Sequence, residues 1–404
     1  MNFTRSSRLR IAFVVDKCAP YFVGGYEKRV FALAEALSAR HDVAVFTSLD
    51  IRTATLGGLT YFRVAPTTFQ RESSGRRSWV HSALFAIAIA RRPIAIELWR
   101  PDVIILQSIP YIHLGTSARW IRRSRYPVVL DVCEAWSEYR FGGTDVGRLV
   151  TFLIFNLLRN AARRSDAIVS ISRATRDSLI RRYGIPVERV TTIPLGIPLQ
   201  TVTVATDSHQ AKSPIDVIFV NRLVTEKRPL DIVTALWRLR TKYNWNGYAV
   251  IVGGGPLLSE VRHTVKLRGL SGNVEVTGFV DESRKVELLN RARLFVLPSE
   301  REGFSLAALE ALGSGVPVVA ARPPQDEVFG VADLVKDGVN GVLYPLGKIE
   351  HLVDTLWRLL SDEDRRADMA RNARNTANHY SIQAVTTHFE SILYRVVLDS
   401  ETHG

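Results

Sequence analysis

A loop ending Glu302-Gly303-Phe304-Ser305 opens a helix, Leu306 to Leu312, that carries a second acid, Glu310. Carboxylates only accept hydrogen bonds, so both suit paired hydroxyl donors. Glu302 fits the hydroxyls of a sugar, and Glu310, two turns deeper, fits a vicinal diol such as a ribose 2′/3′ pair. The N–H groups at the start of the helix, around Gly303, Phe304, Ser305 and Leu306, together with the positive end of its dipole, favour a phosphate or diphosphate. Gly303 lets the backbone come close because it has no Cβ. Such an arrangement suits a sugar nucleotide. The same residues also describe an amphipathic helix with one acid in its first turn and another on its wet face.

A strand, Leu294 to Leu297, must deliver this loop, and after Gly313-Ser314-Gly315 a second strand, Val316 to Ala320, must lie beside it. Upstream, the segment from Asn221 to Pro229 follows the strand Val217 to Val220, where parallel α/β sheets place ligand loops. Arg222 offers a planar fork and Lys227 a compact charge, a pairing suited to a diphosphate, although an arginine and a lysine near a helix start also describe ordinary surface charge. Gly253-Gly254-Gly255-Pro256 turns between the strand Tyr248 to Val252 and the helix Leu257 to Leu267. Leu258 fills its third glycine position, so it is not a dinucleotide fingerprint. Gly142 to Gly147 has Walker spacing, but Arg148-Leu149 stands where Lys-Ser/Thr is needed. Asp362-Glu363-Asp364 follows Ser361 before a helical stretch and reads as a capped helix start, so no metal is expected. His113, alone after a strand, reads as structural.

These segments resemble the retaining glycosyltransferases of family four, which have the GT-B fold. The family's EGFGLPxLEAMAxGxPVVA-like run is EGFSLAALEALGSGVPVVA here, with Ser305 for a glycine and Ala307 for a proline. Its GRLxxEKRxxxLI segment is matched from Asn221, which replaces the leading glycine, and its GxGP turn by Gly253 to Pro256. Gly278-Phe279-Val280, at the end of the strand Val274 to Thr277, is similar to the segment that meets the nucleotide base, and Gly24-Gly25 to the glycine pair that approaches the donor phosphate or acceptor from the opposite wall. Where many members have His-Asp, this chain has Cys133-Glu134-Ala135-Trp136. Members with a lipid-carrier acceptor vary at this point, so Glu134 and Trp136 are a plausible acceptor-side variant. The motif IPLGI at Ile193 to Ile197 keeps the family's glycine.

The resemblance implies Glu302, Arg222 and Lys227 at the reaction centre. It implies donor contacts at Gly24, Gly25, Gly255, Phe279, Val280, Gly303, Phe304, Ser305, Leu306 and Glu310. The donor would be a UDP-sugar or GDP-sugar, with no cofactor and no metal, and the acceptor a glycan or lipid-linked saccharide. A non-catalytic sugar-nucleotide-binding subunit is the alternative.

At 404 residues, 46% apolar and 23% charged, the chain suits two globular domains. Strand and helix alternate in both halves, the pattern of parallel sheets covered on both faces. The first helix, opened by Gly24-Gly25, places Val30, Leu33, Ala34 and Leu37 on one face. A polar stretch, 199–213, reads as a linker between a first Rossmann-like domain, 1–198, and a donor-binding one, 214–381. The GT-B resemblance implies that the two face a cleft and that the last helix, within 382–404, crosses back to the first domain.

Cys18 and Cys133 show neither metal spacing nor a disulfide framework, which fits a reducing cytosol. The apolar run Leu149 to Leu158 is about half of the roughly 20 residues a membrane span needs, and Ile11 to Val15 is too short for a signal sequence. A formal charge of +13 attracts nucleic acid, anionic lipid or an anionic small molecule. No recognised nucleic-acid module stands out, and no intact dinucleotide motif supports a dehydrogenase. Arginines crowd the first half, among them Arg91, Arg92, Arg119, Arg122, Arg123, Arg159, Arg163 and Arg164, beside apolar helix-like segments such as Trp79 to Ala90. That mixture describes either a helix lying on an anionic membrane or a buried helix with a solvated edge. A cytoplasmic protein, peripheral on the inner face of the membrane, is the expectation.

Overall fold

Short β-branched runs that are apolar at every position form central strands, because both faces of a parallel sheet are covered by helices. The computed structural model describes residues 8–19, 24–49, 52–56, 58–66, 79–91, 94–109, 111, 113–115, 117, 126–135, 145–198, 214–324 and 328–403. They divide into two compact units, one running to Gly196 and resuming at Ile382, the other spanning Ile197–Ser381. The expected linker, 199–213, lies outside the described residues.

The first unit holds β1 (Arg10–Val14), β2 (Asp42–Ser48), β3 (Thr53–Leu56), β4 (Leu59–Ala65), β5 (Val103–Gln107), β6 (Val128–Val132), β7 (Ala167–Ser170) and β8 (Val190–Thr192). Their order in the sheet is β3-β4-β2-β1-β5-β6-β7-β8. All pairs are parallel except the β3–β4 hairpin. That hairpin was not expected, although Gly57-Gly58 between two β-branched runs is a hairpin signal, and Gly58 has φ +77°.

The C-terminal helix, Ile382–His403, belongs to this unit. Val385, Phe389, Ile392, Leu393 and Val396 join Val30, Leu33 and Leu37 of the helix Gly25–Ser38 in one buried cluster. Glu390 fixes the contact by pairing with His41 at 2.7 Å and Arg40 at 2.8 Å.

The second unit holds β9 (Ile215–Val220), β10 (Ala249–Val252), β11 (Val274–Gly278), β12 (Ala292–Leu297), β13 (Val318–Arg322) and β14 (Gly341–Pro345). The order is β11-β10-β9-β12-β13-β14, parallel throughout. β13 begins two residues later than expected, since Pro317 has no N–H to give the ladder. β14, a short strand at the sheet edge, was not expected.

Candidate functional site

Chain order in the second sheet reverses at β9, which has β10 on one side and β12 on the other. Ligand loops of parallel sheets collect at the carboxyl ends of the strands flanking such a reversal. The loops after β9 and β12 carry the Arg222–Lys227 segment and the Glu302–Ser305 segment respectively.

The β9 loop is stitched to the glycine turn after β10. Leu223 N–H donates to Gly254 O at 2.8 Å, and Leu257 N–H to Leu223 O at 3.1 Å. Two glycines permit this: a Cβ on Gly253 (φ +142°) would stand 1.8 Å from Asn221 O, and one on Gly255 (φ +150°) 2.4 Å from Leu223 O. No side chain fits there. Beyond the turn Thr225–Lys227, Arg228 adopts φ +50° and enters the helix Pro229–Tyr243, forking to Asp231 at 2.7 Å and Glu300 at 3.0 Å. Those two acids outweigh the effect of burial and raise the Arg228 pKa, the hydrogen bond to Asp231 being the largest cause. Glu300 N–H donates to Glu226 O at 3.0 Å, so the β9 and β12 loops are tied together.

Inside this frame Lys227 Nζ lies 2.7 Å from Glu302 Oε1, with the two side chains only 12% and 11% exposed. Asn221 Nδ2 donates to the same oxygen at 3.4 Å, and Asn221 Oδ1 accepts from Arg222 N–H at 2.9 Å. The residue that departs from the family pattern is therefore part of the cluster. Glu302 is held from behind as well, its carbonyl accepting from Gly330 N–H at 2.9 Å. The Arg222 side chain is 57% exposed and lies 3.9 Å from Glu226.

Ser305, where the family has a glycine, adopts φ +88°, a region that favours glycine, and caps the helix Leu306–Gly313 by accepting from Ala308 N–H at 3.3 Å. Phe304 is buried against Tyr380, ring centroids 5.5 Å apart. Glu310 Oε2 pairs at 2.7 Å with Lys285, which also reaches Glu282 at 2.8 Å. Lys285 was not anticipated. Burial pushes its pKa down, but Glu310 and Glu282 together raise it above the ordinary value. The only sign of it in the sequence is a lysine sharing the apolar face of the helix Glu282–Asn290 with Leu288 and Leu289. Phe279 is exposed, and Gly278, at φ +77°, accepts through its carbonyl from Gly253 N–H at 2.8 Å, bringing that segment beside the glycine turn.

In the first unit, Gly24 is the extended N-cap of the helix Gly25–Ser38, and a Cβ there would stand 2.2 Å from the Glu27 carboxylate. Cys133 is buried, and burial and the charge of Asp131 push its thiol pKa well up, against an opposing effect of Arg29. Glu134 accepts through its carbonyl from the Tyr111 hydroxyl at 2.7 Å. Trp136 lies outside the described residues. No local motif signals the group that packs near Cys133: Arg29 grips Asp131 with Nε at 3.0 Å and Nη2 at 3.1 Å, and Gln107 donates to Asp131 at 2.7 Å. Asp362 caps the helix Glu363–Asn378, accepting from Arg365 N–H at 2.9 Å, and His113 is buried edge-on to Phe85.

Residues 24–196 match the model of the glycosyl transferase 4-like domain and residues 205–376 that of glycosyl transferases group 1, between them most of the chain. Alpha-D-kanosaminyltransferase of Streptomyces kanamyceticus is 29% identical over 236 residues, 56% of this chain and 59% of its own. The match thus spans little more than half of that relative. Sucrose-phosphate synthase from Thermosynechococcus elongatus superimposes with a TM-score of 0.79 at 19% identity, covering 97% of this chain and all (100%) of that one. HepE of Anabaena, solved with UDP and glucose, gives 0.73 at 19% identity, covering 96% and 100%. With two parallel-sheet units, the returning C-terminal helix and both family models matched in order, the chain belongs to the family-four glycosyltransferases and has their GT-B fold.

Proposed function

We propose that the protein transfers a sugar from a nucleoside diphosphate donor, UDP- or GDP-linked, with retention at the anomeric carbon. The observation that carries this reading is the Lys227–Glu302 pair at the sheet's reversal point, a cation and an acid nine-tenths buried at the mouth of a helix. Lys227, Arg222 and the N–H groups at Gly303 to Leu306 stabilise negative charge as it gathers on the leaving diphosphate. Glu302, oriented by Lys227 and Asn221, takes the sugar hydroxyls, and Glu310 the ribose diol. Because these cations are present, the reaction needs no metal.

In retaining transfer on one face of the sugar, a donor phosphate oxygen can take the acceptor proton. A protein base is then not obligatory, in keeping with a buried, protonated Cys133. HepE was solved with UDP and glucose, which supports the choice of donor class. Donor consumption in the presence of EDTA across an acceptor panel, with the product's anomeric configuration read by NMR, tests the proposal. Inversion would refute the stereochemistry, and binding without consumption would favour a non-catalytic subunit.

The acceptor is a lipid-linked or cell-envelope glycan precursor, and the protein works at an anionic membrane surface. Leu149, Phe152 and Leu153 stand exposed on one side of the helix Asp145–Arg164, which also carries exposed Arg148, Arg163 and Arg164. No helix among the described residues is long and apolar enough to cross a membrane. Apolar anchors with arginines are the composition of an interfacial helix. Cosedimentation with anionic but not neutral vesicles, weakened by Phe152→Ser, is the expected result. Equal recovery in the supernatant with both would refute it.

A further inference from the structure

We propose that Lys285 is a positioning residue for donor recognition: it holds Glu310 by Oε2 and leaves Oε1 to accept from the ribose diol of the nucleotide. The inference rests on reading the Glu302–Glu310 stretch as a donor site, and it adds a residue from outside the motif loops.

A lysine on the buried face of a helix is tolerated only when paired. Lys285 has two partners of different kinds: Glu282 is 61% exposed, whereas Glu310 is 17% exposed. Glu282 offsets charge from the solvent edge. Glu310 is the group whose position is fixed. Among the described residues, the ion pair with Lys285 engages Oε2 of Glu310, and Oε1 keeps its lone pairs for a hydroxyl donor. The ammonium remains charged, because the two acids outweigh its burial.

The helix that carries Lys285 links two parts of the site. Its N-cap, Asp281, accepts from Arg284 N–H at 2.8 Å and directly follows Gly278-Phe279-Val280. Lys285 thereby ties the segment on the base side to the glutamate on the ribose side. Without Lys285 the carboxylate would be free to change rotamer, and the protein would lose its preference for a ribonucleotide before it lost affinity for the diphosphate.

Calorimetric titration of UDP, GDP and their 2′,3′-dideoxy analogues into wild type, Lys285→Met, Lys285→Arg and Glu310→Gln tests this. Wild type should prefer the ribonucleotide. Lys285→Met should weaken ribonucleotide binding about tenfold, the effect of one charge-assisted contact, and leave the dideoxy analogue unchanged. Lys285→Arg should restore part of the preference, and Lys285→Met should add nothing to Glu310→Gln. Should Lys285→Met not fold, Lys285→Gln carries the same comparison. Equal weakening of both nucleotides, or none, would overturn the inference while leaving the donor site intact. A wild-type protein that binds no nucleoside diphosphate would overturn the donor-site reading and this inference together.

Discussion

The two units each bury an ion pair near the carboxyl ends of their strands, and the pairs are built for different ends. In the first unit Arg29 and Asp131 are 1% and 0% exposed, and every oxygen of Asp131 is taken, by two guanidinium nitrogens and Gln107. Two further Arg29 donors go to the carbonyls of Ile193 and Pro194. This group joins the first helix to the ends of β6 and β8, and its carboxylate is turned wholly to protein donors. In the second unit Lys227–Glu302 and Lys285–Glu310 keep a tenth or more of each side chain in contact with solvent, and their acids belong to the motif. Complete burial marks a structural clamp, and residual exposure marks groups that a ligand can reach.

Breaking the clamp should have the largest effect. Asp131→Ala leaves the Arg29 charge buried without its carboxylate, at a cost of about 3–5 kcal/mol. Guanidinium unfolding should show that loss as a lowered midpoint, and an unchanged midpoint would mean the pair carries no such role. Next comes Arg222→Ala, whose exposed side chain should contribute little to folding. If it makes one charge-assisted bond to the leaving diphosphate, worth about 1.5–3 kcal/mol, turnover should fall roughly tenfold to a hundredfold with the unfolding midpoint held. Full turnover would remove Arg222 from the site.

A smaller and opposite change is expected at Ser305. Glycine there relieves the φ +88° conformation and loses only a weak cap, for a net gain of about 1 kcal/mol after its greater entropy loss. A lower midpoint for Ser305→Gly would show that the hydroxyl matters more than the backbone. The thiols should give the smallest response at neutral pH. Burial and the charge of Glu27 push the Cys18 pKa from 9.0 up to about 12. An unfolded thiol loses its proton near 9.0 while the native one keeps it, so this stabilising term is complete below that pH and is lost as pH rises toward about 12. Native protein at pH 7 should therefore resist a thiol reagent that labels both cysteines in denaturant.

What was legible in the sequence was local. Glu302, Gly303, Glu310 and the Gly253–Pro256 turn announce themselves because a loop, a helix start and a tight turn each need particular residue types within a few positions. The strand cores read equally well, apart from the β3–β4 hairpin and the edge strand β14, where alternation is short and half-buried. Contacts made across the fold left little trace. Arg29 and Asp131 are 102 residues apart, and nothing near either names its partner. Lys285 showed only as a charge on an apolar face. Asn221 and Ser305 were visible as departures from a pattern, but the bond to Glu302 and the positive φ that give them meaning depend on the folded backbone.

The central claim is that Lys227 and Glu302 form the core of a nucleoside diphosphate sugar site. Thermal unfolding of wild type and Lys227→Met with UDP, GDP and their sugars tests it most directly, since a ligand at a hundred times its Kd stabilises the folded state by about 2.7 kcal/mol. At least one of these ligands should raise the wild-type Tm by several degrees and leave Lys227→Met nearly unmoved. No shift with any of them, or an equal shift in both proteins, would contradict the account.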